Sequence, residues 1–160
     1  MATQTARWGM GVLVLALALI GAALEPAAAQ RPEIHQSGLA EFGSDLAAGG
    51  YDVVAYHTQS AAVPGKPMFR VSWKDAEWRF ASADNRDLFV KAPETYAPQF
   101  GGYCAFTVAY GSAAPGDPKV FNLVAGKLYL NLNTSVQATW VQDQQSLIKR
   151  AEVNWPKLIK

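Results

Sequence analysis

The chain has 160 residues, half of them hydrophobic, and its 14 basic and 13 acidic side chains leave a net charge of +1. It has no basic run or stripe, which argues against binding to nucleic acid and against electrostatic binding to a membrane surface. With Cys104 as its one cysteine, the chain cannot form an internal disulfide. The hydrophobic core must therefore supply the stability.

Residues 1–29 have the pattern of a secretory signal peptide. Arg7 supplies a positive charge, residues 8–24 are uncharged and mostly apolar, and small residues precede Gln30. An uncleaved membrane anchor is the alternative, although the apolar run is marginal for crossing a bilayer. We expect export to the bacterial periplasm or beyond, and no membrane span once the leader is cleaved. A flexible segment over residues 30–48 and one domain over residues 49–160 should follow.

Residues 51–56 are rich in aromatic and β-branched side chains, which predicts a first strand. Apolar and polar residues then alternate over residues 68–73 and 77–80, which predicts an antiparallel hairpin. Ser82 is suited to cap the helix that follows, and Pro93 should end that helix.

In the second half of the domain we expect a short helix over residues 103–110 that Gly111 closes, and then a hairpin over residues 120–124 and 127–130. A longer C-terminal helix should follow, capped by Asn133 or Thr134 and ended at residues 154–156. The pattern predicts an α+β domain with two antiparallel hairpins, intervening short helices and a longer C-terminal helix. The sequence shows no evident internal repeat after the leader.

Three segments, residues 50–56, 78–87 and 96–105, together resemble the bacterial YHS domain-containing (seleno)protein family. The resemblance extends through residues 114–118, 127–131 and 154–158, so it covers nearly all of the chain after the leader. It implies a small exported domain with a YHS-type α+β core. It implies no firm activity, because the family is known by its domain more than by a reaction.

The wider YHS and TRASH-like domains often hold a metal ion with cysteines. In this chain Ala55, Ala81 and Asn85 stand near the positions that the resemblance gives to those cysteines. The resemblance therefore does not bring a multi-cysteine metal site with it. The family name also implies that some relatives use selenocysteine, which would suit redox chemistry at Cys104.

Cys104 follows Gly101 and Gly102 and should lie at the start of a helix. The partial positive charge of a helix N-terminus favours the nucleophilic form of a thiol, and two glycines would let a ligand or a second sulfur come close. The alternative is packing, because a free cysteine is among the most buried residue types. No resolving cysteine exists, which argues against a two-thiol oxidoreductase.

Other residues could join Cys104 in a binding site. Asp52 is either a functional carboxylate or a cap that accepts backbone amides. The aromatic side chains near the glycine pairs either line a ligand pocket or form the wall of the core; they include Tyr51, Tyr56 and Tyr103. His57, with His35 and Met68 as further ligands, could hold copper or another transition metal with Cys104, but the spacing carries no metal signature.

Three functions stay open at this point. The first is a binding module for a small ligand or a metal ion near Cys104. The second is a thiol-dependent redox protein that uses Cys104. The third is an interaction domain for a periplasmic protein, with no small-molecule site. An enzyme is the less favoured class.

Overall fold

The computed structural model describes residues 31–36 and 46–160, so the predicted signal peptide and residues 37–45 lie outside the described residues. The described part has two short 3₁₀ turns, Ala48–Gly50 and Gln99–Gly102, and these regular elements: α1 (Val53–Gln59), β1 (Lys66–Trp73), β2 (Ala76–Phe80), α2 (Ala83–Lys91), α3 (Pro93–Tyr96), α4 (Ala105–Ala109), β3 (Asp117–Val124), β4 (Lys127–Asn131), α5 (Thr134–Gln142) and α6 (Gln144–Leu158). The predicted α+β fold class is confirmed.

The strands form two separate two-stranded antiparallel sheets, β1 with β2 and β3 with β4. Both predicted hairpins are therefore present. Each hairpin has a long first strand with a register shift and a short second strand. The shift lies between Lys66 and Arg70 in the first sheet and between Asp117 and Phe121 in the second.

The two halves of the domain repeat each other, although no repeat was evident from the sequence. Residue numbers in the second hairpin exceed those in the first by 51 throughout, as in the pairs Lys66–Phe80 and Asp117–Asn131. The helix after each hairpin follows the same rule, since α2 begins at residue 83 and α5 at residue 134. We call residues 48–96 unit 1 and residues 99–158 unit 2.

The turn that begins each unit is also repeated. Ala48, Gly49 and Gly50 have φ angles of 48°, 58° and 81°, and Phe100, Gly101 and Gly102 have 55°, 61° and 84°. Three consecutive residues with left-handed φ angles are rare for L-amino acids. The agreement at all three positions therefore shows that both units use one uncommon turn.

The strand predicted for residues 51–56 is wrong, because these residues enter helix α1. Asp52 has an extended backbone and caps the helix, and its side chain accepts the amides of Val54 and Ala55. An aspartate in this position satisfies amides that the first helical turn leaves without partners. Val53 and Val54 are buried helical residues, so tertiary packing outweighs their preference for strands.

The predicted C-terminal helix is present but divided. Asn133 caps α5 by accepting the amide of Val136 at 2.9 Å, and the chain kinks at Asp143 before α6 begins. The expected end at residues 154–156 is wrong, since α6 includes Pro156 and continues to Leu158. A proline so close to a helix end removes one hydrogen bond of the last turn.

Each unit has its own aromatic core. In unit 1, Trp78 on β2 stacks on Phe89 of α2 with ring centroids 5.0 Å apart. In unit 2, Tyr129 on β4 stacks on Trp140 of α5 at 5.6 Å, and both residues are the counterparts of the first pair at 51 positions. Tyr56 joins the units, because its hydroxyl donates to the carbonyl of Pro118 at 2.7 Å.

Candidate functional site

The Asp52 carboxylate is fully buried and accepts four hydrogen bonds. Its Oδ1 accepts the amides of Val54 and Ala55 at 2.9 and 3.2 Å. Its Oδ2 accepts the amide of Ala81 at 2.8 Å and the side-chain amide of Asn85 at 2.7 Å. A buried carboxylate surrounded by donors in this way ties the start of α1 to the end of β2. This arrangement is that of a structural cap.

Cys104 is also fully buried, and both sides of its thiol are engaged. The sulfur accepts the amide of Leu132 at 3.2 Å, and the S–H group donates to the Asn131 side-chain oxygen at 3.9 Å. Asn131 is fully buried as well, and its side-chain nitrogen has no partner among the described protein atoms. The thiol therefore lies inside the domain, beside a polar side chain that sequence reasoning missed.

Cys104 and Asp52 occupy equivalent positions in the two units. Each stands at the N-cap position of the first helix of its unit, although only the Asp52 side chain accepts amides of that helix. The Cys104 amide donates to the Ala114 carbonyl at 2.9 Å, and the Asp52 amide donates to the counterpart carbonyl of Val63 at 2.8 Å. Each side chain accepts the amide of the residue that follows the second strand, Leu132 or Ala81. Cys104 thus connects the start of the first helix to the end of the second strand in unit 2, as Asp52 does in unit 1.

The predicted site residues Gly101 and Tyr103 contact the chain's own N-terminal segment. We call residues 31–36 the strap. The amide of His35 donates to the Gly101 carbonyl at 2.8 Å, and the Tyr103 hydroxyl donates to the Pro32 carbonyl at 3.1 Å. A Cβ atom on Gly101 would overlap the carbonyl of Glu33. The close backbone approach that the glycine permits is therefore used by the strap.

Gly102 lies beneath the next loop, where its carbonyl accepts the amide of Gly116 at 3.1 Å. Tyr56 is fully buried, and burial raises the pKa of its hydroxyl well above the ordinary value, with a smaller contribution from Tyr51. Burial likewise raises the pKa of Tyr103, while Arg31 acts in the opposite direction. The tyrosines named as ligand candidates thus divide between two hydrophobic clusters, with Tyr56 in one and Tyr103 in the other.

The predicted metal ligands occupy different environments. The ring of His57 packs against Tyr96 with centroids 5.3 Å apart, while Met68 is 73 % exposed on β1. His35 lies in the strap against Tyr103. Within residues 31–36 and 46–160 there is no group of three or more His, Cys, Asp or Glu side chains arranged to hold a metal ion. In the same ranges, no helix has the length and apolar character needed to cross a membrane.

Burial lowers the pKa of both histidines. For His57, a hydrogen bond with the backbone of Tyr96 acts against the lowering but is the smaller effect. For His35, burial is the cause. The Nε2 atom of each ring is buried without a partner among the described protein atoms. Both rings therefore favour the neutral form in the folded protein.

A groove of about 470 Å³ lies at the seam between the two units. We call it the seam groove. Trp73 from unit 1 and Trp155 from unit 2 line it, together with Phe100, Gly101 and the strap residue Ile34. Trp73 makes edge-to-face contacts with Trp78 at 5.6 Å and with Phe89 at 5.7 Å between ring centroids. Trp155 contacts Tyr103 with tilted rings at 5.6 Å and Phe100 edge-on at 6.0 Å. Both tryptophans are therefore held in place by the core of their own unit.

The charged lining of the seam groove carries both signs. Lys74 pairs with Glu33 of the strap at 2.5 Å and lies 4.7 Å from the Trp73 ring centre. The other charged residues of the lining, Lys127, Glu94 and Glu152, form no salt bridge with any described residue. One ammonium group and two carboxylates are thus available at an aromatic groove, which is the arrangement of an apolar pocket with a few orienting polar groups.

No family model, curated protein or solved structure matches this chain.

The seam groove was not predicted from the sequence, because its residues come from several separate segments. One signal could have found it. Gly-Gly-Tyr occurs at residues 49–51 and 101–103, and Pro-Gly-x-Pro occurs at residues 64–67 and 115–118. Together these motifs indicate the repeat and hence a seam between two units.

Proposed function

We propose that this protein is an exported, non-catalytic binding module of the YHS type that holds a small zwitterionic ligand with an aromatic or apolar body in the seam groove. The leader pattern over residues 1–29 supports export to the periplasm. The resemblance to the YHS domain-containing family supports the domain type. Gly101, three residues before Cys104, is part of the groove lining and Cys104 is not, so the ligand would lie near that segment without touching the thiol.

The observation that carries this proposal is the pair of tryptophans at the seam. Trp73 and Trp155 come from different units, and each is fixed against further aromatic rings. Aromatic side chains fixed in this way lose little conformational entropy when a ligand packs on them. Lys127 can bind a carboxylate, and Glu94 or Glu152 can bind an ammonium group. A zwitterion with an aromatic body meets both requirements.

The burial of Cys104 argues against the redox alternative. A reactive cysteine must reach its substrate and exist in part as thiolate. In this fold the side chain is fully buried, and the sulfur already accepts a hydrogen bond from the Leu132 amide. Its equivalence with the Asp52 cap supplies a structural reason for a polar atom at this position.

Intrinsic fluorescence tests the proposal, because two tryptophans line the groove. The full chain is titrated with phenylalanine, tryptophan, benzoate and spermidine, and calorimetry measures the affinity of each. We expect an aromatic zwitterion to bind better than benzoate or spermidine. Substituting Lys127→Ala or Trp155→Phe should weaken that binding about tenfold, as for a residue that carries much of the binding energy.

Two matched controls belong to this experiment. Lys119→Ala removes an exposed lysine from the same hairpin outside the groove lining and should leave the affinity unchanged. Cys104→Ser should also leave it unchanged if the ligand does not contact the sulfur. Failure of every compound to bind contradicts the proposal. Binding that is lost in Cys104→Ser and kept in Lys127→Ala contradicts it too.

A further inference from the structure

The C-terminal part of helix α6 has no counterpart in unit 1. At the offset of 51 positions, α3 corresponds to residues 144–147, which begin α6. Unit 1 ends there, whereas α6 continues to Leu158 and packs against α4. Asn154 fastens the two helices together, because its side-chain amide donates to the carbonyls of Val108 and Ala109 at 3.2 and 3.0 Å. This pair of helices therefore presents a surface that unit 1 does not have.

A groove of about 570 Å³ lies between these two helices. We call it the helix groove. Tyr110 and Gly111 line it at the end of α4, and Lys149, Arg150 and Val153 line it on α6. The side chains of Tyr110 and Val153 are 58 % and 63 % exposed. Removing such surface from water is favourable, so the groove has apolar area that a partner can cover.

The helix groove is positively charged. Lys149 and Arg150 are both exposed, and neither forms a salt bridge with a described residue. No acidic residue of the described chain belongs to the lining, because Glu152 of α6 lines the seam groove instead. The Arg150 guanidinium lies 4.4 Å from the centre of the Tyr110 ring, a cation–π contact that holds it at the groove. An anionic partner therefore meets two cations here without a competing carboxylate.

We infer that the helix groove is a docking site for an acidic segment of a partner protein, a segment that carries two carboxylates and an apolar side chain. One carboxylate binds Arg150 in the paired geometry that a guanidinium favours, and the second binds Lys149. The apolar side chain packs on Tyr110 and Val153. Exposed tyrosine and arginine are typical of protein interfaces, whereas anionic membranes bind clusters of about four to eight basic residues. This inference does not depend on a ligand in the seam groove.

Titration of the ¹⁵N-labelled full chain with the hexapeptide Asp-Glu-Leu-Phe-Glu-Asp tests the inference, with nuclear magnetic resonance and calorimetry as the readouts. We expect binding in the millimolar range or better, with shifts of the amides of Gly111, Arg150 and Val153. Because the contacts join exposed charges, the affinity should fall as salt is added. Arg150→Gln should weaken binding about threefold to tenfold, and Lys149→Gln should weaken it about threefold.

The controls separate this groove from general charge attraction. Lys91→Gln removes an exposed lysine from α2 of unit 1 and should leave binding unchanged. The neutral peptide Asn-Gln-Leu-Phe-Gln-Asn should not bind. The absence of shifts, equal binding of the neutral peptide, or an equal loss in Lys91→Gln and Arg150→Gln overturns the inference. Shifts centred on Lys127 also overturn it, because they place the peptide in the seam groove. If no peptide binds and Arg150→Gln weakens binding to phosphatidylglycerol vesicles, the partner is a membrane and the inference is wrong.

Discussion

At the scale of single residues, Asp52 and Cys104 each connect the first helix of a unit to the end of its second strand, but they do so with different strength. The carboxylate of Asp52 satisfies three backbone amides and one side-chain amide, while the sulfur of Cys104 satisfies one backbone amide. Bonds to a charged acceptor are the stronger kind, and sulfur is a weak acceptor. Loss of the two side chains should therefore have unequal costs.

We expect Asp52→Ala to lower the free energy of unfolding by about 3 kcal/mol or more, because it leaves several buried donors without partners. Cys104→Ala leaves one such donor and a small cavity, and should cost about 1–2 kcal/mol. Cys104→Ser keeps an acceptor and should cost less than the alanine variant. Urea unfolding of the three variants measures the order, and a Cys104→Ala cost equal to that of Asp52→Ala would contradict the unequal strength of the two caps.

The two histidines predict a pH dependence of stability. Since burial lowers the pKa of His57 and His35 in the folded protein, the unfolded chain binds more protons below about pH 6.5. Stability should therefore fall as the pH drops through this range. The fall between pH 7.5 and 5.5, measured in urea, should be smaller in His57→Gln than in the parent chain. An equal fall in both proteins would count against a buried neutral His57.

At the scale of elements, the most instructive error is α1. Residues 51–56 have the composition of a strand, and both valines prefer one, but the Asp52 cap and burial of the apolar side chains produce a helix. The hairpins were predictable because their apolar alternation is local. By contrast, no local pattern indicates the kink at Asp143, on either side of which Trp140 of α5 and Leu147 of α6 pack in one hydrophobic cluster.

The strap gives a prediction at the same scale. Gly101→Ala should destabilise the protein more than Gly126→Ala, although both glycines have left-handed φ angles of 61° and 75°. A Cβ on Gly126 meets nothing within 4 Å, so only the backbone strain of about 1 kcal/mol applies. A Cβ on Gly101 also displaces the strap. Limited proteolysis near residue 31, faster only in Gly101→Ala, would detect the displacement, and equal effects in both variants would contradict it.

At the scale of the whole molecule, two similar units pack together, and the surfaces where they meet are not repeated. The strap joins the two units, since its His35 amide donates to the Gly101 carbonyl of unit 2 and its Gln36 side chain donates to the Asp75 carbonyl of unit 1. The seam groove likewise combines Trp73 and Trp155, which are not counterparts. Sequence reasoning reached the fold class and both hairpins, but it missed the repeat because the offset changes from 52 to 51 between α1 and β1. The seam groove was therefore not predicted, and the predicted site was placed around Cys104, whose thiol is buried.

The measurement that most directly separates a binding module from a thiol enzyme is the rate at which Cys104 reacts with an aromatic disulfide reagent such as dithiobis(nitrobenzoate) at neutral pH. The full chain is followed with and without urea, with tryptophan fluorescence recorded in parallel. The sulfur is fully buried and accepts a hydrogen bond from the Leu132 amide. We therefore predict that the thiol does not react in the folded protein and that one thiol per chain reacts as the chain unfolds. Rapid reaction of the thiol while the fluorescence stays native would contradict a structural role for Cys104.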